Sequence, residues 1–256
     1  MWHELICPVR KGDCIRAAEV VIGDAQTRYL SCPRCPPEPS LGKSISGRLL
    51  PTGLERCPSC GRAALDVVML DALRLLQRYG LRDKEDGLRS VGMPLIDVGY
   101  PLAYSPRLGQ GSLILVGERY SKAAAEAMVR DIPEIKGVIQ SRGVPGVIDP
   151  KKKPQKNLLL AGSDLRADVV SSLMGELVVY KRQSQIHIEF SRQNSPKMRI
   201  LEELYFQGKL RDVVDGLCGP GTLGLMCVLA GAERVVFNDA WLPAVEDLLM
   251  NLEVNR

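Results

Sequence analysis

Aromatic residues and histidines are scarce in this sequence. Phe, Trp and Tyr together make up 5% of the 256 residues, and histidine occurs twice, at His3 and His187. So few aromatic residues argue against a long stacking platform for single-stranded nucleic acid. No Ser/His/Asp or Cys/His set emerges that would suit nucleophilic catalysis. His187 falls in a strand-like stretch, where a structural role is the simpler interpretation.

Long apolar runs and a leader segment are missing as well. No run approaches the roughly 18 consecutive apolar residues that a membrane span needs. The start, Met1-Trp-His-Glu4, lacks the charged and then apolar regions of a signal peptide. With 45% hydrophobic and 25% charged residues, the composition is that of an ordinary globular protein and excludes general disorder. We expect a cytoplasmic protein with no membrane partner.

The net charge of +4 is distributed unevenly along the chain. The first 210 residues contain 31 Lys or Arg against 23 Asp or Glu, a net charge of +8, and the last 46 contain 3 against 7. A basic front part suits contact with a polyanion such as nucleic acid. The same charge is also ordinary for a surface of this size, so composition leaves both interpretations open.

Four of the eight cysteines form two Cys-x-x-Cys pairs. Cys32 pairs with Cys35 and Cys57 with Cys60, and 21 residues separate the pairs. Two thiolates three positions apart on a tight turn bind one tetrahedral ion, and a second such turn completes the coordination. The spacing therefore predicts a structural zinc site in an N-terminal zinc ribbon. Two disulfides or a redox pair are the alternatives, and an intracellular chain disfavours them.

The segment around these cysteines is poor in core-forming residues. Residues 31–61 contain six prolines, four glycines and no aromatic residue. Such a segment buries too little apolar surface to offset the entropy of ordering it, and bound zinc supplies the missing free energy. We predict strands at residues 4–8 and 18–31 that frame the two cysteine turns. A chelator is then expected to unfold residues 1–80 selectively.

The central part of the sequence alternates between predicted helices and strands. Periodicity and breakers predict helices over residues 62–79 and 122–131, the second with Ser121 as N-cap, and a third after Ser195. Short apolar runs predict strands at Leu95–Val98, Ser112–Val116, Val138–Gln140 and Leu158–Leu160, and a hairpin of Leu177–Tyr180 with Gln185–Phe190.

The fold class that these elements indicate is α/β, or α+β overall. We divide the chain into an N-terminal zinc ribbon with a helix at 1–80, a middle α/β module at 91–208 and a third domain at 209–256. The charged, aperiodic residues 81–90 are interpreted as a linker.

The strongest functional signal lies near the end of the sequence. Residues 212–224 read Asp-Val-Val-Asp-Gly-Leu-Cys-Gly-Pro-Gly-Thr-Leu-Gly. An apolar strand reaches Asp215, a glycine-rich turn with Gly219 and Gly221 follows, and a second strand then ends at Asp239. The glycines let a ligand approach the backbone closely, and an acid after the second strand accepts hydrogen bonds from ribose hydroxyls. The pattern predicts a βαβ unit that binds a nucleotide-like cofactor beyond its strand ends.

Two kinds of cofactor compete for this turn. Gly219, Gly221 and Gly224 satisfy the Gly-x-Gly-x-x-Gly pattern of a dinucleotide site. Asp215 argues against that site, because an acid at the end of the first strand repels a pyrophosphate but holds a cationic amino-acid group. The string resembles motif I of class I S-adenosylmethionine-dependent methyltransferases. A strand–turn–helix without any ligand is the remaining alternative.

The resemblance extends over about residues 92–256. Five stretches carry it: Leu158-Leu-Leu-Ala-Gly-Ser163, Phe190-Ser191, Arg199-Ile200, Val213 through Gly221, and Pro243 through Asn255. Together they resemble the archaeal and eukaryotic tRNA guanosine N1-methyltransferases that act beside the anticodon, and their relatives, the wybutosine-pathway aminocarboxypropyl transferases. The resemblance implies a Rossmann-like domain, S-adenosylmethionine as cofactor, and RNA, above all tRNA, as substrate and partner.

The same resemblance implies which residues contact the cofactor. By position these are Asp215, Gly219 and Gly221 along the pocket, Asp239 at the ribose, and Phe190 with Ser191 close by. Lys197 stands where the methyltransferases carry a glutamate, and the pattern Phe-Ser-x-x-Asn194 leans toward aminocarboxypropyl transfer.

Two departures from the family concern the end of the chain. No Asn-Pro-Pro-aromatic or Asn-Leu-Pro motif is present, and 41 residues follow Asp215, where a methyltransferase sheet needs well over twice as many. We therefore expect only the first part of a Rossmann-like domain here. The alternative function is a non-catalytic zinc-ribbon module that binds RNA or a protein.

Overall fold

The protein has a mixed α/β fold. A computed structural model describes residues 15–39, 41, 51, 54–141, 157–188 and 195–256. The elements are α1 (Ala18–Ala25), β1 (Ala63–Ala64), α2 (Leu65–Arg78), β2 (Met93–Ile96), β3 (Arg107–Leu108), β4 (Leu113–Gly117), α3 (Lys122–Asp131), β5 (Ile135–Gln140), β6 (Leu158–Gly162), β7 (Leu165–Ser172), β8 (Gly175–Arg182), α4 (Pro196–Phe206), β9 (Asp212–Asp215), α5 (Thr222–Leu229), β10 (Arg234–Phe237) and α6 (Leu242–Val254). No helix among the described residues is long and apolar enough to cross a membrane.

A four-stranded sheet with the order β2-β4-β5-β6 forms the middle of the molecule. The pair β4 and β5 is parallel and joined through α3, while β2 and β6 run antiparallel to their neighbours. The Ser121 hydroxyl accepts a hydrogen bond from the Ala124 amide at 3.2 Å, which confirms the predicted cap of α3. The four strands predicted in this region are confirmed, with small shifts at their ends.

The largest apolar core joins α2 to this sheet. Leu70, Leu73 and Leu76 of α2 are each at most 1% exposed and lie in one cluster with Met128 of α3 and Leu115 of β4. The helix predicted at 62–79 is confirmed over Leu65–Arg78, whereas Ala63 and Ala64 form strand β1. Met69, Ala72, Leu73 and Leu76, at three- and four-residue steps, are among its buried residues.

The region predicted as a linker also contributes buried side chains. Within residues 81–90 both Arg82 and Leu88 are buried. The guanidinium of Arg82 donates to the carbonyls of Ser90, Leu81 and Arg119 at 2.7–2.9 Å. The division of the chain at this point stays a prediction.

The strand predicted at 18–31 is wrong, because residues 18–25 form the helix α1. The run Val20-Val-Ile suggests a strand by composition. The buried positions, however, are Ala18, Val21 and Ala25, which recur at helical spacing and pack against the β7–β8 hairpin. The companion strand at 4–8 lies outside the described residues.

The hairpin near residue 180 is displaced from its predicted position. The second predicted strand, Gln185–Phe190, is wrong: its described residues, up to Ile188, form no strand, and β8 pairs with β7 instead. Asp168 of β7 is 1% exposed and forms ion pairs with Arg166 at 2.9 Å and Lys181 at 3.0 Å. Buried ion pairs hide the apolar pattern that normally indicates a buried strand.

The C-terminal part contains the predicted strand–helix–strand unit. Strands β9 and β10 are parallel, with Phe237 opposite Asp215, and α5 connects them. Helix α6 follows and lies along β8, whose apolar residues Leu177 and Val179 pack against Leu225 and Met226 of α5. The strand–helix–strand unit therefore packs against the β7–β8 hairpin through α5 and α6.

Candidate cofactor and metal sites

Asp215 ends β9 and faces the start of α5. Its Oδ2 accepts a hydrogen bond from the Gly224 amide at 2.9 Å, the third residue of the helix. The side chain thus satisfies one of the amides that a helix leaves free at its N-terminus. Its other oxygen has no hydrogen-bond partner among the described residues. Asp215 therefore caps the helix through Oδ2.

The turn between β9 and α5 depends on two glycines with positive φ. Gly219 has φ +53° and Gly221 has φ +90°, conformations that side chains with a Cβ rarely adopt. At Gly221 a Cβ would lie 2.3 Å from Cδ1 of Leu248 in α6, whereas at Gly219 nothing lies within 4 Å. A side chain added at Gly221 would therefore displace Leu248, whereas the space beside Gly219 is open.

Asp239 lies two residues after β10, and its two carboxylate oxygens accept hydrogen bonds from two different segments. Its Oδ2 accepts from the Gly219 amide at 2.8 Å, and its Oδ1 accepts from the Trp241 amide at 2.8 Å. A carboxylate offers about four acceptor positions, and these two amides occupy two of them. The carboxylate also connects the glycine turn to the start of α6.

The charge of Asp239 acts on Asp215. Burial raises the pKa of Asp215, the hydrogen bond from Gly224 opposes this, and the charge of Asp239 raises the pKa further. A positive charge placed between the two strand ends would offset both the desolvation and the repulsion, whereas a further negative charge would add to the repulsion.

Four of the six predicted cofactor residues come together around one turn. Asp239 is hydrogen-bonded to Gly219, Asp215 is hydrogen-bonded to Gly224 in α5, and Gly221 is the N-cap of that helix. The other two, Phe190 and Ser191, lie outside the described residues.

Two further residues of the site were missed in the sequence. The indole Nε1–H of Trp241 donates to the Gln185 carbonyl at 2.9 Å, and Nδ2 of Asn251 donates to the Pro220 carbonyl at 3.0 Å. The sequence signal for Trp241 was its position two residues after Asp239. The contact of Asn251 with the turn has no local sequence signal, since it depends on how α6 packs.

The four cysteines of the two Cys-x-x-Cys pairs form one cluster. The Sγ–Sγ distances are 3.6 Å for Cys32–Cys57, 3.7 Å for Cys32–Cys35 and 3.7 Å for Cys35–Cys60. All four sulfurs lie within 4.8 Å of one another. A zinc ion about 2.3 Å from four tetrahedral sulfurs places neighbouring sulfurs about 3.8 Å apart, which these distances match. They are far too long for disulfide bonds.

Backbone N–H groups stabilise one thiolate of the cluster, and arginine side chains hold the cysteine turns in place. Backbone N–H groups of Cys60 and Ser59 lower the pKa of Cys57 to about 6, whereas desolvation raises the pKa of Cys35 to about 12. Arg107, which is buried, donates to the Pro36 carbonyl at 2.6 Å, and Arg62 donates to the Leu30 carbonyl at 2.9 Å. The cysteine turns are therefore anchored by arginines of the folded domain.

A groove of about 650 Å³ lies at the end of α2. Its lining contains four cationic and two acidic side chains: Arg74, Arg78, Arg82 and Lys84 with Asp71 and Asp131. Both acids are already paired, Asp71 with Arg56 and Asp131 with Arg130. No lining residue belongs to the βαβ unit, so this is a second, basic surface apart from the glycine turn.

The sequence matches no protein-family model and no curated protein. Two solved structures are similar to it in part. A complex of aTrm5 with tRNALeu has 17% sequence identity and a TM-score of 0.34, over 63% of this chain and 43% of that chain. The M. jannaschii tRNA m1G37 methyltransferase has 13% identity and a TM-score of 0.35, over 93% of this chain and 66% of that chain. This chain spans less than two thirds of either protein.

Proposed function

We propose that the protein is an S-adenosylmethionine-dependent transferase that acts on RNA. One observation carries this proposal: Asp215 and Asp239 end adjacent parallel strands on either side of a glycine turn, and both carboxylates keep acceptor positions for a ligand. This is the arrangement in which a parallel sheet binds a nucleoside beyond its carboxyl edge.

Each residue then has a defined part in binding. Asp215 holds the cationic amino-acid end of the cofactor, and Asp239 accepts hydrogen bonds from the ribose. The turn at Gly219 lets the ligand approach the backbone. The bound cofactor supplies a sulfonium that already activates the transferred carbon. The protein's contribution is to position cofactor and acceptor within reaction distance of each other.

RNA is the proposed acceptor on the basis of charge and sequence resemblance. The first 210 residues carry a net charge of +8, and the groove at the end of α2 offers Arg78 and Lys84 to phosphates. The four-cysteine cluster is proposed to hold a structural zinc ion, because four thiolates at tetrahedral spacing leave no open position for water.

A transfer assay with two labels of the same cofactor tests the proposal. S-adenosylmethionine labelled in its methyl group or in its aminocarboxypropyl group is incubated with zinc-loaded protein and tRNA. Label in the tRNA from the methyl form supports methyl transfer, and label from the other form supports aminocarboxypropyl transfer. Incorporation of neither label into tRNA contradicts the enzymatic proposal.

The RNA surface is tested by a matched pair of variants. Lys84→Ala removes a cation of the groove, and Lys122→Ala removes an exposed lysine that pairs with Glu126 on α3. We expect the logarithmic salt dependence of tRNA binding to flatten by about one unit for Lys84→Ala and to be unchanged for Lys122→Ala. Equal slopes for both variants would remove the groove from the RNA interface.

One observation favours a second candidate, a non-catalytic binding module. Within the described residues the sheet at the glycine turn has two strands, and Val214 is 73% exposed. Parallel sheets are normally covered on both faces. If this module is the function, the protein binds tRNA but neither binds S-adenosylmethionine nor transfers label.

A further inference from the structure

We propose that Asn251 is a positioning residue that fixes the glycine turn against the edge of β8. This rests on the proposed function, because the turn is the part of the site that approaches the cofactor. Asn251 is fully buried, and its side-chain amide contacts two elements at once. Its Nδ2 donates to the carbonyls of Tyr180 in β8 and of Pro220 in the turn, each at 3.0 Å.

The contact with β8 belongs to a ladder along one side of α6. Three residues of α6, four positions apart, form hydrogen bonds with backbone groups on the free edge of β8: Asp247, Asn251 and Asn255. Asp247 accepts from the Arg182 amide at 3.0 Å. The side-chain amide of Asn251 accepts from the Tyr180 N–H and donates to the Tyr180 carbonyl. The side-chain amide of Asn255 makes the same two bonds with Val178, and all four distances are 2.7–3.0 Å.

The three contacts line up because residues four positions apart in a helix and two positions apart in a strand are separated by nearly the same distance. Four helical residues rise about 6 Å, and two strand residues rise about 6.7 Å. Alternate residues of a strand point their backbone groups toward the same edge. Helix α6 therefore occupies the position beside β8 that a third strand would have, and it lies in a fixed register with β8. It also covers the edge of β8 that would otherwise be open.

Asn251 differs from Asn255 in its third hydrogen bond. The third bond of Asn255 goes to the Asn251 carbonyl within α6 at 2.8 Å, and that of Asn251 goes to Pro220 in the glycine turn. Leu248, one helical turn away, touches Gly221 so closely that no Cβ fits between them. Leu248 and Asn251 of α6 thus both contact the turn, whose Gly219 amide is also held by Asp239.

Asp239 holds the Gly219 amide of the turn, and Asn251 holds the Pro220 carbonyl. The glycines of the turn at 219 and 221 have wide conformational freedom, and its internal backbone bond runs from the Gly221 amide to the Cys218 carbonyl at 2.8 Å. Fixing the carbonyl of Pro220, between the two glycines, removes that freedom before the ligand binds. Asn251 therefore acts on cofactor affinity through the turn and not by touching the cofactor.

Asn251→Ala and Asn255→Ala form a matched pair for the test. Each variant loses two hydrogen bonds to the β8 edge and one other bond, but only Asn251→Ala releases the turn. We expect Asn251→Ala, at the more buried position, to lose at least as much stability to urea as Asn255→Ala. The affinity of folded protein for S-adenosylmethionine should fall about tenfold or more for Asn251→Ala and little for Asn255→Ala. Equal losses of affinity in the two folded variants would overturn the proposal.

Amide hydrogen exchange without cofactor separates this proposal from the proposed function. The Gly221 and Gly224 amides should exchange faster in Asn251→Ala than in Asn255→Ala, whether or not the wild-type protein binds S-adenosylmethionine. Unchanged exchange at the turn sinks the positioning role alone. If Asn251→Ala does not fold, the side-chain amide NMR signals of the wild-type protein test the proposal instead. The signal of Asn251 must shift when cofactor is added, and that of Asn255 must not.

Discussion

The ligand proposed for the glycine turn depends on a few individual residues. Asp215 was predicted from its place at the end of an apolar strand, and the four cysteines from their spacing, because both signals lie within a few residues of sequence. The roles of Trp241 and Asn251 depend on contacts with Gln185 and Pro220, 31 or more positions away. No local pattern encodes such contacts, and they became visible only in the folded chain.

Asp215→Asn should separate stability from binding. Because the folded-state pKa of Asp215 is raised, its ionisation opposes folding, and the stability that the neutral form contributes is lost as pH rises through the carboxyl range. At pH 7 the variant, which keeps an acceptor for the Gly224 amide, should unfold at the same or higher urea concentration. Its affinity for S-adenosylmethionine should fall about tenfold, as for a lost charged hydrogen bond.

The pH dependence provides the control for this variant. Below the carboxyl range the wild-type protein and Asp215→Asn should have the same stability, since both side chains are then neutral. A variant that loses stability at pH 7 but keeps its cofactor affinity contradicts the assigned role of Asp215.

Trp241 should report cofactor binding by fluorescence. Its amide donates to the same carboxylate, Asp239, that is proposed to hold the ribose, so a ligand there changes the surroundings of the indole. The sequence contains one other tryptophan, Trp2. We expect S-adenosylmethionine to change the emission of wild-type protein and of Trp2→Phe, and not that of Trp241→Phe. A response carried by Trp2 would place the ligand elsewhere.

At the scale of elements, helices were predicted more accurately than strands. Helix α3 was predicted to the residue, because a cap, an alanine-rich face and a following proline all agree. Strand β7 was missed, because Arg166 and Asp168 interrupt its apolar pattern, and α1 was taken for a strand on composition alone. The hydrogen-bonded ladder from α6 to β8 could not be foreseen, since it requires β8 to have a free edge.

Gly221 and Gly231 form a natural comparison for the tight turn. Both have φ +90°, but an added Cβ contacts Leu248 at 2.3 Å only at Gly221, and nothing within 4 Å at Gly231. Gly231→Ala should lower the free energy of unfolding by about 1–2 kcal/mol through backbone strain alone. Gly221→Ala should lose about 1–3 kcal/mol more from overpacking. Equal losses in urea denaturation would show that α6 does not press on the turn.

At the scale of the whole molecule, one apolar core crosses the boundary suggested by the sequence. Helix α2 was assigned to the zinc-containing part, yet Leu70, Leu73 and Leu76 pack with the middle sheet and α3. Hydrophobic periodicity showed that α2 has a buried face but not which partner covers it. The expectation that a chelator unfolds all of residues 1–80 is therefore revised.

Removal of zinc should loosen the cysteine segment and leave α2 folded. Without the ion, residues 30–39 and 54–62 keep little apolar burial, so their amides should exchange faster after chelation. The amides of α2 should keep their protection, because their core contacts do not involve the metal. Hydrogen exchange with and without chelator checks both parts. Loss of protection throughout α2, or purified protein without zinc, contradicts this account.

The proposed function depends on binding of S-adenosylmethionine at the turn between Asp215 and Asp239. Isothermal titration calorimetry of folded, zinc-loaded protein, with Asp215→Asn measured alongside, is the decisive experiment. We expect one binding site per wild-type chain and about tenfold weaker binding by the variant. Folded, zinc-loaded wild-type protein that does not bind S-adenosylmethionine would contradict it.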